Sequence, residues 1–252
     1  MTALGYVHEP ILMPIWGWKT PAQIIPEQQV GDFRILKRVA KAGTAWPMNG
    51  TLGYDYCVFM DDAPMTILQQ RRGDGWRDWM VDSPYDWYAM GEYAMRTCPP
   101  NVLVAGLGLT LIDQHLSLRS DVARVKIVEL NEEVITMVSP HLPKDSRFEV
   151  IHGDFFDVLP QLATRGELYD TIIMDIWTGE DSESMSDFRK ASRLVQQHYP
   201  RSLHLYHSFQ KVVDTEIVNS HLPHSADGPL SFVPDRYSVE ELRRRQAAKK
   251  TD

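Results

Sequence analysis

The chain has 252 residues, 43% of them apolar and 24% charged, enough to bury the full core of one large domain or of one domain with a smaller companion. Its net charge of −8 argues against a nucleic-acid surface spread over the whole molecule, and no run of about 18 apolar residues offers a membrane span. Cys57 and Cys98 form neither a CxxC pair nor a disulfide framework, and no basic-then-apolar leader opens the chain, so a reducing cytoplasmic setting is expected and a cysteine-rich zinc site is not.

Pro10, Pro14, Pro21 and Pro26 lie among aromatic residues at a density that forbids a long helix, so residues 1–30 are expected as an extended arm, with Trp16 and Trp18 packed on the body. Short strand-forming runs follow at Phe33–Val39, Tyr54–Met60 and Met65–Leu68, the last two separated by the turn sequence Asp61-Asp62-Ala63-Pro64. Residues 1–80 therefore read as an arm plus a small antiparallel β-rich domain. Ser83 before Pro84 is a helix start, with serine as N-cap and proline in the first turn, and this helix should run to about Arg96 before Pro99-Pro100.

From residue 101 strands and helices alternate, the signature of a mostly parallel sheet. Strands are predicted at Val102–Ala105, Val125–Glu129, Phe148–Ile151, Thr171–Asp175 and Leu203–His207. Helices are predicted over Leu109–Leu118, from Asn131 as cap to about Val138, from near Phe155, and over Ser186–His198. The fold class is α/β, with a Rossmann-like domain over residues 81–222 and a C-terminal extension over 223–252. Little chain remains after the fifth strand. A helix near Lys211–Asn219 and a strand at Leu230–Val233 leave no closing hairpin, so the sheet is expected to be shortened, or finished by a partner such as a second copy. Arg243-Arg244-Arg245 and Lys249-Lys250 read as a solvated helical tail.

The first strand runs into Gly106-Leu107-Gly108, where glycine lets the backbone approach a ligand closely and the next helix offers free N–H groups. Leu111 stands where a dinucleotide fingerprint would carry its third glycine. Three acids end successive strands: Glu129, Asp154 and Asp175. Ligands of open α/β sheets bind at that edge, so a carboxylate at 129 is placed for ribose hydroxyls, one at 154 for an exocyclic amine and one at 175 for the reactive end of a nucleoside. Asp154 reads equally as the cap of the helix at Phe155. His204 and His207, on opposite faces of the fifth strand, read as hydrogen-bonded sheet histidines.

Four stretches, Val102 to Gly108, Val128 to Ile135, Gly153 to Phe156 and Tyr169 to Asp175, together resemble the S-adenosylmethionine-dependent transferase fold of the class I methyltransferase type, and within it the spermidine synthase branch. The resemblance spans residues 80–210, and that branch also carries a small N-terminal β domain. It implies that Glu129 binds ribose, Asp154 contacts adenine, Asp175 sits beside the reacting centre as a general base, and Gly106 and Gly108 underlie the methionine or aminopropyl portion. It also implies S-adenosylmethionine or its decarboxylated form as cofactor, no metal, and a small-molecule acceptor rather than a nucleic acid or a membrane. Tyr88 and Trp177 are candidate pocket residues, Trp177 either contacting a sulfonium by cation–π or packing as part of a lid. Asp62 and residues 82–88 loosely follow the branch's entry segment.

The sequence departs from that branch at Leu109, where an aspartate is usual, at Ile176-Trp177-Thr178-Gly179 after Asp175, and at Tyr88-Ala89-Met90-Gly91-Glu92 in the entry segment. The missing residues are those that grip a diamine. The first expectation is therefore methyl transfer to a small acceptor, with aminopropyl transfer to an amine as the alternative and a relative that binds or cleaves the donor without transfer as the third.

Overall fold

The computed structural model describes residues 11–13, 20–48, 51, 56–177, 182–210 and 213. Trp16, Trp18, Thr178 to Asp181, the strand expected at 230–233 and the basic tail lie outside them, as does nearly all of the helix expected over 211–219.

Among its described residues the N-terminal part holds seven strands: β1 (Ile11–Met13), β2 (Gln28–Val30), β3 (Phe33–Ala40), β4 (Ala45–Pro47), β5 (Tyr56–Phe59), β6 (Ala63–Arg72) and β7 (Gly75–Val81). They make two sheets rather than one unit: an antiparallel β2-β3-β6-β7 sheet and a smaller β1-β5-β4 sheet whose β1–β5 pair is parallel. Phe33, Ile35 and Leu68 are buried in the same apolar cluster as the strands of the parallel sheet. Residues 21–24 of the proline-rich arm form a single 3₁₀ turn that starts with Pro21.

The sequence signal at Ser83 is realised in α1 (Pro84–Arg96), where the Ser83 hydroxyl accepts the Asp86 N–H at 3.2 Å. Next come β8 (Asn101–Ala105), α2 (Leu111–Ser117), β9 (Arg124–Glu129), α3 (Glu132–Val138), β10 (Phe148–His152), α4 (Phe155–Thr164), β11 (Thr171–Met174), α5 (Ser182–His198) and β12 (Leu203–Tyr206). All the strands from β8 onward are parallel, in the order β10-β9-β8-β11-β12. The expected Rossmann-like α/β architecture is thus present. The order reverses between β8 and β11, which is where such sheets open a crevice at the carboxyl ends of their strands.

The strands are apolar runs because both of their faces are covered, Val102, Val104 and Ile127 facing one cluster and Leu103, Ile172 and Met174 the other. Asn131 occupies the N-cap of α3 as expected, yet its side chain makes no cap bond, because its amide donates to Glu129. Helix α2 starts two residues later than expected. Leu109 and Leu111 are fully buried in the core, which explains why neither the aspartate nor the third glycine of related motifs stands there.

Candidate functional site

Parallel register places the site. Past the last paired residues the ladder continues by one more rung on each strand: Gly106 N–H to Val128 O at 2.8 Å, Gly153 N–H to Glu129 O at 2.9 Å, Asp175 N–H to Ala105 O at 2.9 Å and His207 N–H to Met174 O at 2.9 Å. Gly106, Glu129, Gly153, Asp175 and His207 consequently stand side by side along one edge. They line one cavity of about 370 Å³, within the range usual for small-ligand sites.

Gly106 adopts φ +95°, and a Cβ there would lie 2.3 Å from the Asp175 carbonyl oxygen, so only glycine closes the seam between β8 and β11. Glu129 is buried and already engaged: Oε2 accepts the Leu107 N–H at 2.9 Å, and Oε1 accepts the Asn131 N–H at 2.8 Å and its side-chain amide at 3.0 Å. The turn's N–H groups are therefore less free than the sequence suggests, since Leu107 N–H goes to Glu129 and Leu109 N–H points at the Met80 sulfur, 3.3 Å away. Oε1 is saturated by its two Asn131 donors, whereas Oε2 keeps one lone pair for a ligand in the cavity. Asp154 caps α4, its Oδ1 accepting the Phe156 N–H at 2.8 Å, and it also lines the cavity, so both sequence readings of this residue meet in one side chain.

Asp175 Oδ1 lies 2.9 Å from Nδ1 of His207, and the second carboxylate oxygen has no hydrogen-bond donor among the described residues. The reading of His207 as a hydrogen-bonded sheet histidine holds for its backbone, but its ring meets the cavity-edge carboxylate of Asp175 rather than a backbone group. His204 fits that reading, since its Nε2 is 2.9 Å from the Tyr199 carbonyl. Asp86, on the first turn of α1, also lines the cavity, and its carboxylate accepts a hydrogen bond from the Ser83 hydroxyl. Burial pushes the Asp86 carboxyl up to about 6 despite the opposing pull of His207 and Ser83. For His207, burial opposes the charged ring, yet the charge of Asp175, its hydrogen bond and the charge of Asp86 raise the ring above its ordinary value.

The antiparallel sheet supplies a further wall. Leu68 pairs with Met80 and Gln69 with Asp78, which leaves Trp79 as the extra residue of a bulge. Asp78, Trp79, Met80 and Val81 all line the cavity. A Cβ on Gly108 would lie 2.5 Å from the Met80 sulfur, so β7 sits directly on the glycine turn.

Two pocket expectations change. Tyr88 does not line the cavity, because it packs with Met48, Cys57 and Phe59 under the small sheet, and Tyr85, one helical turn earlier, lines it instead. Trp177 does line it, but the indole is buried edge-on against Phe188 and Phe209 and donates Nε1–H to the His207 carbonyl at 2.7 Å, which is the packing role rather than an open aromatic face. Asp62 is ion-paired with exposed Lys41 and does not line the cavity. Tyr85, Asp86, His207 and the bulged Trp79 were the contributors that sequence reasoning missed. Only His207 carried a usable signal, because it and Asp175 both directly follow strands that an α/β sheet of this order makes neighbours.

No family model and no curated protein matches the chain. Among solved structures it is similar to a provisionally named methyltransferase, SMU.776, complexed with SAH, at 13% identity and a TM-score of 0.39, over 53% of this chain and 36% of that one. A provisionally named SAM-dependent methyltransferase from Streptococcus mutans gives 15% identity and a TM-score of 0.39 over the same shares. The chain thus spans about a third of the length of these two. Human methyltransferase-like protein 13 in complex with SAH gives 19% identity and a TM-score of 0.36, over 65% of this chain and 89% of that one.

Proposed function

We propose that the chain is an S-adenosylmethionine-dependent transferase that moves a methyl group to a small protic acceptor. The observation that carries this reading is the alignment of Gly106, Glu129, Asp154 and Asp175 along one cavity at the point where strand order reverses. The residues fit such a donor, because the cavity is lined by carboxylates, which suit a ligand carrying a sulfonium and an ammonium group. Glu129 would hold the ribose hydroxyls, Asp154 the adenine amine, and the turn at Gly106 and Gly108 would let the amino-acid portion lie close to the backbone. When bound, the donor supplies an electrophilic carbon on positively charged sulfur.

The protein's part is then positioning and proton transfer. With an acceptor held against that carbon, the free oxygen of Asp175 would receive the proton that the acceptor gives up as it is alkylated. Trp79 and Met80 cover the turn from the other sheet and keep water from the reacting end.

A second reading is aminopropyl transfer. Asp78, Asp86, Glu129, Asp154 and Asp175 line the cavity, and no Lys or Arg does among the described residues. A donor without its α-carboxylate needs no cationic partner, which favours the decarboxylated form, and an acidic wall offsets the desolvation of an amine acceptor. Incubation with each donor in turn, with a mixed panel of hydroxyl and amine acceptors including putrescine, separates the readings by mass spectrometry. S-adenosylhomocysteine formed from the full donor means methyl transfer. Methylthioadenosine with an aminopropylated amine means the second reading. Neither product, with no calorimetric binding of either donor, overturns both.

A further inference from the structure

His207 is fixed from three sides. Its N–H continues the β11–β12 ladder onto Met174 O at 2.9 Å, its carbonyl receives the Trp177 indole N–H at 2.7 Å, and its Nδ1 meets Asp175 Oδ1 at 2.9 Å. The loop from Asp175 to Trp177 is thereby tied to one histidine at both ends. The ring is walled on the α1 side by Tyr85 at 6.1 Å and by the edge of Tyr93 at 5.9 Å between centroids. Its Nε2 is covered and has no hydrogen-bond partner among the described residues.

That covered Nε2 decides the role of the ring. A nitrogen that reaches neither the cavity's solvent nor a partner is poorly placed to take a proton from a substrate, so the ring itself is not the base. What it can do is donate through Nδ1 and hold charge. The titratable groups facing it are Asp175 from the end of β11 and Asp86, Tyr85 and Tyr93 from α1, with Asp82 behind Asp86 at the start of that helix. Two carboxyl groups flanking one imidazole favour the imidazolium.

We propose that His207 is a positioning residue that keeps Asp175 ionised, with one carboxylate oxygen locked on Nδ1 and the other left free for the acceptor's proton. This rests on the transfer reading above. The direction in which burial and the two carboxyls move the ring, to above its ordinary range, agrees with it. A neutral residue at position 207 leaves Asp175 beside Asp86 with no cation between them, and two like charges close together disfavour the state in which both are ionised. The acceptor's proton then has an anionic oxygen to go to only at higher pH.

Two measurements test it. In ¹⁵N-resolved NMR titrations of the whole chain, the His207 ring is expected to titrate above the ordinary histidine value in the wild type, and its midpoint is expected to fall by about one pH unit in Asp175→Asn. In steady-state kinetics, His207→Asn keeps a side-chain N–H donor near the Nδ1 position but carries no charge. Its acidic limb in kcat is expected to move up by about one pH unit while S-adenosylhomocysteine affinity stays within about threefold. A ring already neutral at pH 6, or an acidic limb that stays where the wild type has it, overturns the proposal. So does a His207→Asn protein whose kcat falls equally at every pH, since that is what a merely structural histidine would give. If the wild type binds no adenosyl ligand at all, the transfer reading falls, and the ring titration still decides the ion pair by itself.

Discussion

The two halves of the cavity edge use their acids in opposite ways. On the β9–β10 half, Glu129 and Asp154 spend part of their lone pairs on the protein's own N–H groups, those of Leu107, Asn131 and Phe156. On the β11–β12 half, Asp175 meets an imidazole, and Asp86, buried beside them, accepts a hydrogen bond from the Ser83 hydroxyl. The first arrangement needs no titration to do its work and fixes the turn that a ligand would lie on. The second concentrates groups whose protonation depends on one another. On the transfer reading the first half would hold the donor and the second would receive the acceptor's proton, and the seam between them is Gly106 against Asp175.

Asp175→Asn should break the comparison most sharply. On the transfer reading it lowers kcat by about 10²–10⁴, the usual share of a general base, while S-adenosylhomocysteine affinity by calorimetry stays within about threefold. Equal losses in rate and affinity would mean that the two halves are not separable.

Asp113 provides a titratable centre away from the edge. It lies on the first turn of α2, neither carboxyl oxygen has a hydrogen-bond partner among the described residues, and burial pushes it up to about 8. A folded value above the unfolded one means that the folded protein binds the proton more tightly. Its stabilising contribution is therefore complete below about pH 4 and is lost as pH rises toward 8, at about 1.4 kcal/mol per pH unit. Asp113→Asn should remove that slope from urea-unfolding free energies taken between pH 4 and 8. A slope left intact in this variant would assign the pH dependence to the buried carboxyls of Asp82 and Asp86 instead, both pushed up to about 6 by burial.

Gly106→Ala attacks the seam. The positive φ and the 2.3 Å approach to Asp175 O leave no room for a methyl group, and an expected loss of more than about 2 kcal/mol should be read as a drop in the unfolding midpoint. Asp154 sharpens the binding half at a smaller scale. Asp154→Ala should cost about 1 kcal/mol of stability through the lost cap, whereas Asp154→Asn should keep the cap and lower adenosyl affinity by roughly tenfold. Tyr88→Phe should leave kcat and KM within about twofold, because the ring packs under the small sheet and not on the cavity.

Much of this was readable from the residues themselves. The parallel strands were legible because burial on both faces makes them uninterrupted apolar runs, and α1 was legible because Ser83-Pro84 is start chemistry in its own right. Asn131 shows the limit of such rules, since it took the cap position while its amide served Glu129. Strand β7 was missed because Trp76-Arg77-Asp78-Trp79 offers no aliphatic alternation, and the bulge that turns Trp79 toward the cavity depends on its pairing with β6. Asp86 lay within the 82–88 stretch that loosely follows the entry segment, with no signal of its own that marked it as a cavity residue. Its role depends on α1 crossing the end of β12, a long-range contact with no local signature.

The most direct test of the account is calorimetric titration of S-adenosylhomocysteine into the wild type and Glu129→Ala. The account requires saturable one-site binding by the wild type, weakened about tenfold or more once the buried acid at the end of β9 is gone. No binding by the wild type, or equal binding by both, would contradict it.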